Sequence, residues 1–325
     1  MKANRCENIS EDEQKIDEIA ATSFRKLLQL FGLKSFTTQT SFGTMHYYDS
    51  NPESSQEPLV FIHGLGSSGQ SWWILALMFA NKCRVIIPDL FYMAGLSQPI
   101  KTPLLNFSEH CESIQEFLRK VVKRPANLCG LSLGGWIAMS LGAKYPELVS
   151  KLILMNPAGI QIKSYRLRDT LVFLNWKKFQ KLYPGLLNVY PYHGIPFFSS
   201  VIRRGLYRGL KNQSIKNFIR TIVADDFVDK KLSNIKAPVL LLWGENDNLL
   251  DSDCAQVIVN NINDIQGKWV HECAHVLCIE APFTCYLEIN EFLNLSLIEE
   301  NSFVKFVRKA GHIYKTSPID KTLNS

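Results

Sequence analysis

The residues best suited to chemistry fall in four short clusters. Gly130–Leu131–Ser132–Leu133–Gly134 is a serine flanked by glycines. It follows the apolar run Asn127–Leu128–Cys129 and opens a helical pattern of Trp136, Ile137, Met139 and Leu141. A serine on so sharp a strand-to-helix turn is held exposed and strained, and the helix N-terminus favours developing negative charge. Such a nucleophile needs a base, and the base needs an orienting acid. Gly244–Glu245–Asn246–Asp247 and Ala274–His275 supply them, each beyond an apolar run, with Glu280–Ala281–Pro282 following the histidine. The fourth cluster, His63–Gly64–Leu65–Gly66, can offer a backbone N–H to an oxyanion, with the N–H of Leu133 as second donor.

Two ambiguities attach to these clusters. Asp247, Glu245 and Asp251 compete for the role of acid. The Gly-x-x-Asp spacing favours Asp247, whose carboxylate would sit just past the sheet edge. His271–Glu272–Cys273–Ala274–His275 also matches HExxH, the zinc-protease pattern, which needs both histidines on one face of a helix. Here the motif closely follows strand-like Lys268–Trp269–Val270, so the spacing predicts a loop and no metal. His271 is then a loop residue.

These clusters need a frame to hold them. Apolar runs occur at Leu59–Ile62, Arg84–Ile87, Asn127–Cys129, Leu152–Met155, Val239–Trp243 and Lys268–Val270, separated by helical patterns. Near-continuous apolar strands alternating with helices predict an α/β fold with a parallel sheet buried on both faces. Ligands in such sheets bind beyond the carboxyl ends of the strands, where all four clusters lie.

Taken together, the HG loop at His63–Gly64, the elbow around Ser132, the acid turn at Asp247 and the terminal His275 resemble the α/β-hydrolase superfamily over roughly residues 46–296. The resemblance implies a mostly parallel twisted sheet flanked by helices, with a helical cap inserted between strands 6 and 7. It implies Ser132 as nucleophile, His275 as general base, Asp247 as orienting acid, and Leu65 and Leu133 as the oxyanion hole. His63, Gly64 and Trp136 are the expected substrate contacts. Two departures from the pattern stand out. Ala274 replaces the usual glycine before the histidine, and Phe91–Tyr92–Met93–Ala94–Gly95 keeps one glycine where relatives often have two.

Composition bounds the rest. With 325 residues, 46% hydrophobic and 20% charged, the chain is globular, near the size limit of one hydrophobic core. The net charge of +6 is uneven: residues 159–220 carry 12 Lys or Arg, one acid and 11 aromatics. This basic block falls between the fourth and fifth runs, where the cap belongs. Phe173, Trp176, Phe179 and Tyr183, and then Ile202, Leu206 and Leu210, recur at amphipathic-helix spacing. Their apolar faces either pack on the core or line an acyl pocket whose basic rim meets anionic lipid. No nucleic-acid module is recognisable.

The expected division is an extension over 1–45, a core of 46–157 and 237–296, a cap of 158–236 and a tail of 297–325. Ser10 and Glu13 form a capping box for an N-terminal helix running to Phe31, packed on the domain or lying on a membrane. Eight cysteines without a CxxC pair, and no apolar export signal, predict reduced thiols in a cytoplasmic protein. The expected reaction is hydrolysis of a small-molecule ester or lipid with an apolar acyl chain, in the manner of a lipase or monoacylglycerol lipase, without metal or cofactor. Carbon–carbon, lactone or thioester hydrolysis is the alternative within the same chemistry; a non-catalytic ligand-binding or membrane-peripheral protein on this same fold is the alternative of another class.

Overall fold

The computed structural model describes residues 22, 25–26, 28–100, 104–161, 212–295, 303–305 and 313–321. Its strands are β1 (Lys34–Thr40), β2 (Gly43–Asp49), β3 (Leu59–Ile62), β4 (Val85–Pro88), β5 (Gln98–Pro99), β6 (Ala126–Leu131), β7 (Val149–Met155), β8 (Val239–Gly244), β9 (Ile265–Val270) and β10 (Thr316–Pro318). They form one sheet in the order β1-β2-β4-β3-β6-β7-β8-β9-β10, with β5 paired to β2. From β4 to β9 all neighbours are parallel, and these six strands are the six apolar runs. Antiparallel pairs close both ends.

Alternation explains why the central strands read as unbroken apolar runs. Val60 and Ile62 of β3 face one core cluster, Leu59 and Phe61 the other. Leu152 and Leu154 of β7 oppose Ile153 and Met155 in the same way. Helices α1 (Trp73–Phe79), α6 (Leu277–Glu280) and α7 (Pro282–Phe292) cover the face of Phe61. Helices α2 (Phe107–Phe117), α3 (Leu133–Lys144), α4 (Gln213–Thr221) and α5 (Asp253–Asn261) cover the face of Val60. Each large apolar side chain buried this way, such as Phe61, Trp72 or Phe79, contributes about 1.5–3 kcal/mol. Asn106 caps α2 in a reciprocal box with Glu109.

Two boundaries differ from the sequence reading. The cut at residue 45 runs through β2, and β1 and β2 pair from Lys34↔Asp49 to Thr40↔Gly43, so the hairpin belongs to the sheet. Within the expected tail, β10 pairs with β9 and Ile319 is buried. The segment expected as a cap is inserted between β7 and β8, which are the expected strands 6 and 7 once the two-residue β5 is left out of the count. Of the N-terminal helix, Thr22, Arg25, Lys26 and 28–30 are helical, and Leu28 packs into the core beside Leu33. The Ser10–Glu13 capping box and the amphipathic patterns over 173–210 lie outside the described residues. In the described part of the insertion, α4 buries Ile215, Phe218 and Ile219 against the core.

Candidate active site

Ser132 sits between β6 and α3 with φ +55° and ψ −115°. A non-glycine residue there is strained, and the flanking glycines explain how the turn survives. A Cβ on Gly134 would lie 2.0 Å from Ile62 O, and one on Gly130 would lie 2.3 Å from Gly134 O. Only bare backbone fits where the start of α3 crosses β3 and β6. Backbone bonds pin the turn: Ser132 N donates to Met155 O at 3.0 Å, and Ser132 O accepts from Trp136 N and Ala158 N, both at 3.0 Å. Leu133 opens α3, where the helix has no acceptor for its N–H.

The HG loop lies against this turn. A Cβ added to Gly64 would touch the Cβ of Ser132 at 3.4 Å. Met93 Sδ accepts the N–H of Gly66 at 3.4 Å, and Ala94 N donates to Ser67 O at 2.9 Å. The Phe91–Gly95 segment therefore braces the loop despite its missing glycine.

Past β8 and β9, Asp247 and His275 meet. His275 Nδ1 and Asp247 Oδ2 are 2.7 Å apart, with both side chains buried. The other oxygen, Oδ1, accepts from Leu249 N at 2.8 Å and Leu250 N at 3.1 Å. An ionised carboxylate only accepts, so it fixes the proton on Nδ1 and leaves Nε2 as the basic position. The competing acids point elsewhere. Glu245 Oε2 lies 3.2 Å from His271 Nδ1 on the surface, and Asp251 caps Asp253 N at 3.1 Å.

The same geometry separates the two histidines of HExxH. Residues 271–276 form a turn after β9, not a helix, and each histidine has a different acid partner. Among the described residues no group of three or more His, Cys, Asp or Glu could hold a metal.

Two expected substrate contacts prove to be framework. His63 is fully buried; Nε2 accepts from Leu90 N at 2.9 Å, so Nδ1 carries the proton and donates to Gly64 O at 2.9 Å. Burial pushes its pKa down and keeps the ring neutral. His63 thus shapes the loop that carries Leu65 rather than touching a ligand. Trp136 is stacked between Phe107 at 4.0 Å and Phe227 at 5.1 Å, and its Nε1 donates to Asp226 O at 3.0 Å. It fastens α3 to the end of the segment inserted between β7 and β8.

Two residues to which the sequence patterns gave no role hold the histidine loop. Asn156, fully buried after β7, donates through Nδ2 to Ala274 O and His275 O, both at 2.9 Å, and accepts Gly244 N at 2.8 Å. It ties the acid turn to the histidine turn. Glu280 is buried and accepts Ala274 N and Val276 N, both at 2.8 Å, bracketing His275. Burial raises its pKa, against the lowering effect of those two bonds. Their one sequence signal is position: both follow motif residues at the carboxyl edge of the sheet. The seven described cysteines are buried free thiols, and burial pushes Cys83, Cys111 and Cys254 up to about 12, so none is a poised nucleophile.

A profile of the alpha/beta hydrolase fold matches residues 57–211. The crystal structure of a membrane phospholipase A, a bacterial virulence factor, superposes with a TM-score of 0.72 at 24% identity, covering 86% of this chain and 91% of that one. The chain has the α/β-hydrolase fold. The chain is 24% identical to Lipase 3 of Moraxella sp. (strain TA144), over 81% of its own length and 87% of the relative. It is likewise 24% identical to human monoacylglycerol lipase ABHD6, over 72% of its length and 74% of the relative. No helix among the described residues is long and apolar enough to cross a membrane.

Proposed function

We propose that the protein is a serine hydrolase of carboxylic esters with an apolar acyl chain, acting as a lipase or monoacylglycerol lipase does. The observation that carries this reading is the buried His275–Asp247 pair at 2.7 Å, on turns at the same sheet edge as the strained Ser132. Ser132 Oγ attacks the ester carbonyl while His275 Nε2 takes its proton. Asp247 holds the tautomer and stabilises the imidazolium. The tetrahedral oxyanion lies between the N–H groups of Leu65 and Leu133, a pair of donors in which one is worth about 10²–10³ in rate. His275 returns its proton to the leaving alcohol, and water then releases the acid with His275 again as base. No step requires a metal or cofactor.

In this reading residues 158–236 form a cap over the acyl site, and its basic stretch draws the protein to anionic membrane. Each Lys or Arg near such a surface contributes about 1 kcal/mol, screened by salt. A cytoplasmic location with peripheral membrane contact follows. Lipase and monoacylglycerol-lipase relatives over most of the chain support the substrate class.

Hydrolysis of p-nitrophenyl esters across acyl lengths, with Ser132→Ala beside the wild type, tests the proposal. Turnover peaking at medium or long chains and lost in the variant is the expected result. A peak at acetate points to a small-ester hydrolase, and no turnover at any length overturns the esterase reading in favour of carbon–carbon, lactone or thioester hydrolysis or of a binding protein.

A further inference from the structure

A second Ser–His–Asp arrangement lies outside the candidate site, on the β1–β2 hairpin. Ser35 Oγ is 2.6 Å from His46 Nε2, and His46 Nδ1 is 2.8 Å from Asp89 Oδ2. The strand register places the three residues together. Ser35 pairs with Tyr48 and Thr37 with His46, so Ser35 and His46 share one face of the hairpin as diagonal neighbours. Asp89 closes β4, the strand next to β2.

The bond directions are fixed by the surroundings of Asp89. Its Oδ1 accepts Gly69 N at 2.6 Å and its Oδ2 accepts Leu96 N at 2.8 Å. Burial alone would raise the pKa of this carboxyl, but the hydrogen bond from His46 leads the opposing effects, and the pKa is lowered. An ionised Asp89 can only accept, so His46 Nδ1 is the donor. In the neutral ring Nε2 then accepts, and the Ser35 hydroxyl donates to it. The imidazole cannot swing away: it is buried edge-on to Tyr48 at 4.8 Å, while His46 N donates to Ser97 Oγ at 2.9 Å and His46 O accepts Asp89 N at 2.9 Å. Ser35 itself is exposed. A solvent-facing hydroxyl thus rests on a buried, immobilised base with an ionised orienting acid.

One oxyanion donor is also in place. Both backbone groups of His46 point away from β1, so its partner Thr37 is in a non-hydrogen-bonded pair. Ser35, two residues along, has the same parity and turns its own N–H toward the outer side of β1, the edge strand of the sheet among the described residues. Ser132 lies four strands away, roughly 20 Å across the sheet.

We propose that Ser35 is a second activated nucleophile, a surface acyl-acceptor site that takes small acyl or phosphonyl groups from donors with good leaving groups. The bond from Ser35 Oγ to the acyl carbon or phosphonyl phosphorus forms as the bond to the leaving oxygen or fluorine breaks; the hydroxyl proton passes to His46 Nε2 and leaves with the departing phenolate, alkoxide or fluoride. With one backbone donor where Ser132 has two in the proposed mechanism, acylation of Ser35 is slower by about 10²–10³-fold. The inference is independent of the role proposed for Ser132.

The test uses the full chain carrying Ser132→Ala, treated with p-nitrophenyl acetate and separately with a fluorophosphonate. Intact mass and peptide mapping follow the adduct over time. One adduct on residue 35 is expected, forming at least tenfold faster than on the exposed Ser55, and absent when Ser35→Ala is added. His46→Gln should reduce labelling of Ser35 to the rate of Ser55. Because His46 is buried and that variant can misfold, the comparison of Ser35 with Ser55 within one folded protein decides alone. Equal rates at the two serines overturn the proposal.

Discussion

Replacing Glu280 by glutamine tests whether its carboxylate positions the proposed catalytic histidine. Both oxygens are in use, accepting the N–H groups of Ala274 and Val276 at 2.8 Å on either side of His275. Glutamine has the same shape but one acceptor, so its NH2 group must face one of those two amides. A buried donor left without an acceptor costs about 1–3 kcal/mol. The neutral side chain escapes the burial penalty that raises the Glu280 pKa, which offsets part of that cost. The expected loss of stability is therefore about 1–2 kcal/mol. The unpaired amide also displaces the turn that keeps His275 at 2.7 Å from Asp247. About 1.4 kcal/mol of misalignment felt only in the transition state lowers kcat roughly tenfold and leaves KM nearly unchanged. Initial rates on p-nitrophenyl butyrate and urea midpoints at neutral pH measure both quantities. A urea midpoint that falls while kcat stays within twofold of wild type would refute the positioning role and reduce Glu280 to a structural residue.

Three further outcomes follow from the packing. Gly134→Ala drives a methyl to 2.0 Å from Ile62 O and 2.8 Å from His63 O, so the HG loop must move; ester turnover should fall at least about 100-fold, and a rate near wild type contradicts the elbow geometry. Arg84→Ala leaves Asp49, fully buried and paired with it at 2.6 Å, without its counter-charge; urea unfolding should show a loss of about 3–5 kcal/mol, and a loss under about 1 kcal/mol argues against the pair. Burial, with His63 nearby, pushes His110 down to about 3. Below about pH 6.5 the unfolded chain binds a proton that folded His110 refuses, so stability is full above that pH and falls by about 1.4 kcal/mol per unit as pH drops toward 3. His110→Phe should flatten the slope of urea-derived stability against pH by one proton, and equal slopes in both proteins contradict the burial argument.

The centre of this fold is legible in the sequence because its strands are buried on both faces. An unbroken run such as Val239–Trp243 admits few other readings, and its carboxyl end announces the turn that carries Asp247. The elbow is legible for a steric reason: its flanking glycines are demanded by backbone at 2.0 and 2.3 Å. The edges are harder. β1 reads Lys-Ser-Phe-Thr-Thr-Gln-Thr, mostly exposed, and its order comes from pairing with β2, which no local pattern reveals. β10 has three residues, too few for any periodicity, and among the described residues its strand partner is β9. At the site, the HG motif is visible but the inward turn of His63 is not, since its ring is held by Leu90, 27 residues on. Asn156 acts through backbone groups of a loop distant in sequence, and Glu280 through the amides of Ala274 and Val276 just before it, roles that residue type alone does not disclose.

The most direct test of the central claim is where the fast covalent adduct forms. Wild-type protein treated briefly with limiting fluorophosphonate, then digested and mapped by mass spectrometry, should carry one label, on Ser132, with ester turnover lost in proportion to labelling. Full labelling with turnover intact, or a fast adduct on any other residue, would contradict the account.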